Sequence, residues 1–248
     1  ILSRHPNVKI IYLCASKNLG KKITFFDKRI KKELPNISSI DKIDWSILDL
    51  IFLSLPNGEA QNIIKKTYHK FNNLKYIDLS ADFRLKNKKT YFRNYKKKHK
   101  AQNLIKYSTY SICELNNEKL SDFRIISNPG CYPTSIQLPL VPLIKKNLID
   151  IKDISIDSKS GYSGAGKNLE KKFTHKNLYN SVFAYNTKNH RHICEIEQEL
   201  HYLTGKKVSF ASKKTLIESF KSEKINQNFD VNLKNNNRFN NNNILKFY

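Results

Sequence analysis

Asp49-Leu50-Ile51-Phe52-Leu53-Ser54-Leu55-Pro56-Asn57-Gly58 is an apolar run of strand length, shut off by a Pro-Asn-Gly turn. A continuous run of this kind suits a strand buried on both faces of a parallel sheet. Residues 59–71 follow with Ala60, Ile63, Ile64 and Tyr68 at helical spacing, and Lys75-Tyr76-Ile77-Asp78-Leu79 reads as the next strand. Strand, helix, strand at this spacing is a βαβ unit, so the chain predicts an open α/β sheet. In such sheets ligands bind beyond the carboxyl ends of the strands. Leu55-Pro56-Asn57-Gly58 and Ser80-Ala81-Asp82-Phe83-Arg84 both fall there.

Upstream, residues 8–14 read as a further strand. Downstream, a strand over 123–127 runs into Ser127-Asn128-Pro129-Gly130-Cys131-Tyr132-Pro133-Thr134 and then a helix reaching about Leu148. Ile154-Ser155-Ile156-Asp157-Ser158 alternates like a strand and leads into Gly161-Tyr162-Ser163-Gly164-Ala165-Gly166-Lys167. A helix is expected from Ile193, because Ile196, Leu200 and Leu203 share one face. A boundary between 133 and 150 would separate a nucleotide-type sheet from a second, catalytic domain.

Composition narrows the class. The 248 residues suffice for one large or two ordinary domains. No apolar run approaches bilayer length, so no membrane partner is expected. Four cysteines at irregular positions make neither a disulfide scaffold nor a paired zinc motif, which points to a reducing, cytoplasmic setting and no metal. The formal charge of +24 suggests a nucleic-acid partner, but the lysines are scattered through every segment among Asn, Ile, Tyr and Phe. A/T-rich coding explains that mixture, so a solvated basic surface is the preferred reading over a binding face. From Asn226 the chain becomes an Asn-rich tract that cannot bury enough apolar surface to fold by itself.

Three segments carry chemistry. Cys131 follows a Pro-Gly turn and precedes Pro133, which is suited to the first turn of a helix. A thiol at a helix N-terminus meets unpaired N–H groups and the macrodipole, which favour the nucleophilic thiolate. A small core cysteine in a tight turn fits the same residues equally well. The glycines of 161–167 allow close backbone approach to a phosphate or cofactor ring, or simply form a flexible turn. His190-Arg191-His192 lies just ahead of a helix, where imidazoles can exchange protons in a cleft. Read alone, surface histidines beside an exposed arginine are the preferred reading, and His-x-His without a third ligand is poor zinc evidence.

Taken together, five blocks resemble the N-acetyl-γ-glutamyl-phosphate reductases, members of the semialdehyde dehydrogenase superfamily, over roughly residues 1–210. They are Leu53-Ser54-Leu55-Pro56-Asn57-Gly58-Glu59, Asp78 to Arg84, Asn128 to Thr134, Ser160 to Lys167, and His190-Arg191-His192 with Glu195-Ile196-Glu197-Gln198. The resemblance implies an incomplete Rossmann-like nucleotide-binding sheet plus an α+β catalytic domain. It implies NADPH-dependent reduction of an acyl phosphate to an aldehyde, through a thioester on Cys131, in arginine biosynthesis. His190 or His192, His190 by preference, would be the acid and base. Gly164, Ala165, Gly166 and Pro56 would lie against NADP(H), and Ser80, Arg84, Asn128 and Arg191 near the substrate. Arg84 could equally form a structural ion pair with Asp82 or another acid. A homo-oligomer is implied.

The family's first strand and Gly-rich turn have no counterpart before Ile1, and similarity fades near Phe210, as after a shifted reading frame. The expected division is therefore 1–133 partial NADP-binding domain, 134–210 partial catalytic domain and 211–248 aberrant tail. Other readings are an inactive remnant of the enzyme, an acyl-phosphate reductase of the aspartate-semialdehyde type, and a basic nucleic-acid-binding protein.

Overall fold

The computed structural model describes residues 1–116, 119–161, 182–184, 190–208, 210, 217–219, 227–233 and 245–247. Strand β1 (Leu13–Cys14) pairs in parallel with β2 (Ile37–Ser38) as a small separate ribbon. Strand β3 (Leu50–Leu53), helix α1 (Ala60–Thr67) and strand β4 (Lys75–Asp78) form the expected βαβ unit. Helix α2 (Lys88–Tyr95) and strands β5 (Ser108–Tyr110) and β6 (Ile125–Ser127) complete a four-stranded, all-parallel sheet of order β3-β4-β6-β5.

Then come α3 (Cys131–Lys145), β7 (Ile149–Ser158), β8 (Val182–Ala184), α4 (Ile193–Thr204), β9 (Ile217–Ser219), β10 (Gln227–Leu233) and β11 (Leu245–Phe247). Strands β7, β10 and β11 make an antiparallel sheet with β10 in the middle, and β8 pairs with β9. Helix α4 stops at Gly205, whose φ of +69° closes the helix in the left-handed region that glycine enters at little cost.

Two apolar clusters hold these elements. Leu53, Ala60, Ile64, Tyr76, Phe83, Leu104 and Ile125 pack α1 and the following loops on the parallel sheet. Ile136, Leu140 and Ile144 of α3, spaced by four, meet Ile196 and Leu200 of α4 and Ile149 of β7. No helix among the described residues is long and apolar enough to cross a membrane.

Three elements differ from expectation. Strand β3 is buried on one face only, leaving Leu50 and Phe52 at 39% and 38% exposure. It is the edge of its sheet, and its apolar run does not by itself supply a second covering layer. The strand expected over 8–14 is regular only at Leu13–Cys14, because a strand extends only as far as a partner backbone does. Within the Asn-rich tract, β10 pairs along β7 from Gln227↔Ser158 to Val231↔Ile154. Backbone pairing with an existing strand asks for no apolar core of the tract's own.

Candidate active site

The carboxyl edge of the parallel sheet gathers Leu53, Asp78, Tyr110 and Ser127, with Asp78 and Tyr110 both in register with Ser127. The loop after β6 is tied to this edge at once, since Asn128 N–H donates to the Asp78 carbonyl at 2.8 Å. Gly130 is the N-cap of α3, and Cys131, the first helical residue, is exposed. Pro133 sits in the first turn, where a missing N–H costs no helical hydrogen bond.

Gly130 has an ordinary extended backbone (φ −71°) and is needed for space. A Cβ there would lie 2.7 Å from His192 Nε2 and 2.9 Å from an Arg84 guanidinium nitrogen. The imidazole of His192 therefore rests against the residue just before the cysteine. His190 and His192 are each 6% exposed, and their rings meet edge to face at 4.8 Å. His190 Nδ1 accepts the His192 backbone N–H at 3.2 Å, and its ring meets Tyr132 at 5.4 Å. Among the described residues His192 Nδ1 is buried without a hydrogen-bond partner. Burial, then the Arg191 charge, pushes the His190 pKa down to about 4. His192 is pushed to about 2 by burial first, then by His190, Arg84 and Arg191. Both rings are therefore held neutral near pH 7.

The buried Glu195 carboxylate, from the first turn of α4, faces the same turn. Its Oε1 accepts the Gly130 N–H at 3.0 Å and the Tyr110 hydroxyl at 2.8 Å. Its Oε2 lies 3.5 Å from Arg84. Burial raises the Glu195 pKa, opposed by Arg84 and by these two donors.

The residues expected near substrate divide. Asn128, Cys131 and Arg191 are exposed around the turn. Arg84 is 7% exposed and committed to the protein: Nε donates to the Asn128 carbonyl at 2.8 Å and one terminal nitrogen to the Leu79 carbonyl at 3.1 Å. Of the acids open to it as an ion-pair partner, it meets Glu195. Asp82 instead accepts the Gly58 and Gln61 N–H groups at 2.7 and 3.1 Å, capping α1 from a neighbouring loop, and the Tyr91 hydroxyl at 2.9 Å. Ser80 is also internal, donating to Asp78 at 2.6 Å and accepting from Asp82 N–H. Burial, with the nearby Asp82 charge, raises Asp78 to about 6 against the pull of Ser80. The 80–84 loop thus builds the carboxyl edge, and its side chains are engaged before any ligand arrives. Pro56 is exposed beyond β3, while Gly164, Ala165 and Gly166 lie outside the described residues. No metal-holding cluster occurs among the described residues.

Sequence reasoning missed Glu195 as a site residue, along with Tyr110. An acid in the first turn of the helix after His-Arg-His was a visible cue for Glu195; nothing in the local sequence marks Tyr110.

Similarity to known proteins speaks to the family and the fold. Residues 1–123 match the semialdehyde dehydrogenase NAD binding domain, and residues 131–237 match the semialdehyde dehydrogenase dimerisation domain. The chain is 42% identical over 202 residues to an N-acetyl-gamma-glutamyl-phosphate reductase of Ehrlichia canis, covering 81% of this chain and 57% of that protein. It is 39% identical over 218 residues to a probable chloroplastic N-acetyl-gamma-glutamyl-phosphate reductase of Oryza sativa, covering 88% of this chain and 52% of that one. The chain thus spans a little over half the length of these relatives. Among solved structures, aspartate semialdehyde dehydrogenase II of Vibrio cholerae superposes with a TM-score of 0.62 at 14% identity, covering 90% of this chain and 65% of that one. Aspartate semialdehyde dehydrogenase with NADP from Candida albicans gives 0.59 at 13% identity, over 95% and 67%. At such identities the structures speak for the fold, whereas the sequence relatives are close, and the chain belongs to the semialdehyde dehydrogenase family alongside the N-acetyl-gamma-glutamyl-phosphate reductases.

Proposed function

We propose that the chain carries the chemistry of N-acetyl-γ-glutamyl phosphate reduction, with Cys131 as nucleophile. The observation that carries this reading is the exposed thiol at the first residue of α3, on a turn held against His192 and Glu195. The Cys131 thiolate attacks the acyl carbonyl and the C–O bond to phosphate breaks, leaving a thioester. A thioester accepts hydride more readily than a carboxylate does, and the thiolate then leaves as the aldehyde, N-acetylglutamate 5-semialdehyde, forms. What supports a cofactor side is that Pro56 is exposed just beyond the carboxyl end of β3, on a turn whose Gly58 N–H is held by Asp82. Pro56 and the Gly164-Ala165-Gly166 backbone would hold NADP(H), which supplies the hydride when bound.

His192 rather than His190 takes and returns the proton, because its Nε2 is the ring nitrogen against Gly130. His190 supports it from behind through the His192 backbone. Asn128 and Arg191, exposed at the turn, receive the polar end of the substrate, while Arg84 and Ser80 hold the loops in place. The functional protein is a cytoplasmic homo-oligomer, in keeping with its matched dimerisation domain, and residues 1–133 form the cofactor side while 134–210 form the catalytic side.

The test is phosphate release and NADPH oxidation with N-acetyl-γ-glutamyl phosphate, against aspartyl phosphate as the alternative substrate. Turnover of the first that is absent in Cys131→Ser is expected. A preference for aspartyl phosphate, or full activity of the serine variant, would refute the reading.

A further inference from the structure

We propose that Glu195 is the positioning residue of this site: its buried carboxylate sets the turn that presents Cys131 and locks it to helix α4. The inference rests on Cys131 being the nucleophile.

A closed ring of hydrogen bonds carries it. Glu195 Oε1 accepts the Gly130 N–H at 3.0 Å and the Tyr110 O–H at 2.8 Å. The Tyr110 oxygen in turn accepts Gln137 Nε2–H at 3.0 Å, which aims the hydroxyl proton at the carboxylate. Gln137 is fully buried and lies on α3 itself, six positions after Cys131. The helix that starts with the cysteine is therefore gripped at its N-cap and again in its second turn. The same carboxylate holds it to β5 through Tyr110 and to α4 through Glu195's own backbone. His192 is the N-cap of that same α4. Fixing Glu195 against Gly130 thus fixes the imidazole against the thiol's turn.

A plain structural ion pair explains these distances less well. The Arg84 contact, at 3.5 Å, is the longest of the three, whereas the two neutral donors stand at ordinary hydrogen-bond lengths on one oxygen. The carboxylate is directed chiefly at the backbone before Cys131. Gln198 strengthens the arrangement from the next turn of α4 by donating to the Arg84 carbonyl at 2.9 Å and accepting the Lys86 N–H at 2.8 Å.

The experiment is the alkylation rate of Cys131 by iodoacetamide, read by peptide mass mapping on the full chain, with exposed Cys14 as internal control. In Glu195→Gln the Cys131 rate should fall roughly tenfold while Cys14 is unaffected, and kcat should fall by about 100-fold with little change in KM, since small misplacement of reacting groups has effects of that size. Tyr110→Phe, which deletes one hydroxyl, should move both quantities in the same direction by less and serves if Glu195→Gln does not fold. A group that only supports the fold would lower the melting temperature and leave the reactivity of the folded fraction alone. An unchanged Cys131 rate in a folded variant overturns the proposal. Because alkylation needs no substrate, its outcome does not depend on whether the wild-type chain reduces an acyl phosphate.

Discussion

At the scale of single residues, Gly130 decides most. Its Cα faces His192 and Arg84 with no room for a methyl group, although its backbone angles suit any residue. Gly130→Ala should therefore fold less stably and lose more than about 100-fold in turnover, as displaced reacting groups do; steady-state kinetics beside thermal melting checks it. A variant with wild-type kcat would contradict the close approach. Here sequence reading went only part of the way. Cys131 and the histidine pair stood out by residue type, but burial of the histidines could not be read from spacing. From sequence Arg84 reads equally as a ligand or as an ion-pair partner of Asp82 or another acid. Its partner is 111 positions away, on a helix that no local pattern connects to it.

At the scale of elements, Asp82 does what a local capping residue does elsewhere. The N-cap position of α1 is Glu59, whose side chain makes no capping hydrogen bond. The Asp82 carboxylate covers those N–H groups from the loop after the next strand. Asp82→Ala leaves the Gly58 and Gln61 N–H groups without their acceptor and the Tyr91 hydroxyl with only its longer contact, to Asn57 Oδ1 at 3.2 Å, and should destabilise the chain by about 2–4 kcal/mol. Chemical denaturation of the purified variant measures this, and a change below about 0.5 kcal/mol, the scale of ordinary surface substitutions, would count against it. The βαβ unit itself was legible, because strand and helix periods are local properties of residues 49–79. The open face of β3 was not. Burial of a strand's second face depends on what else packs there, and the strand's own residues read alike in either case.

For the whole molecule, the buried imidazoles shape the response to acid. His190 holds its proton only below about 4 when folded, against 6.5 for the unfolded chain. As pH falls below 6.5 the unfolded state takes up the proton first, so this contribution is intact above 6.5 and is lost progressively toward pH 4. Asp78 works in the opposite sense, since its folded value of about 6 lies above 3.8 and its protonation favours the folded state as pH falls. Comparing wild type with His190→Gln isolates the histidine: the stability of wild type relative to the variant should decline from pH 6.5 to 4 and stay level above 7. A flat difference across that range would mean that His190 is solvated.

The parallel sheet, the cysteine turn and the helix after His-Arg-His come together only in three dimensions, and that assembly presents Cys131 as a nucleophile. The most direct measurement is the intact mass of the chain after mixing with N-acetyl-γ-glutamyl phosphate in the absence of NADPH. One acyl group attached through Cys131, with release of one equivalent of phosphate and no adduct in Cys131→Ser, is the predicted result. An unmodified chain, or acylation that persists in Cys131→Ser, would contradict it.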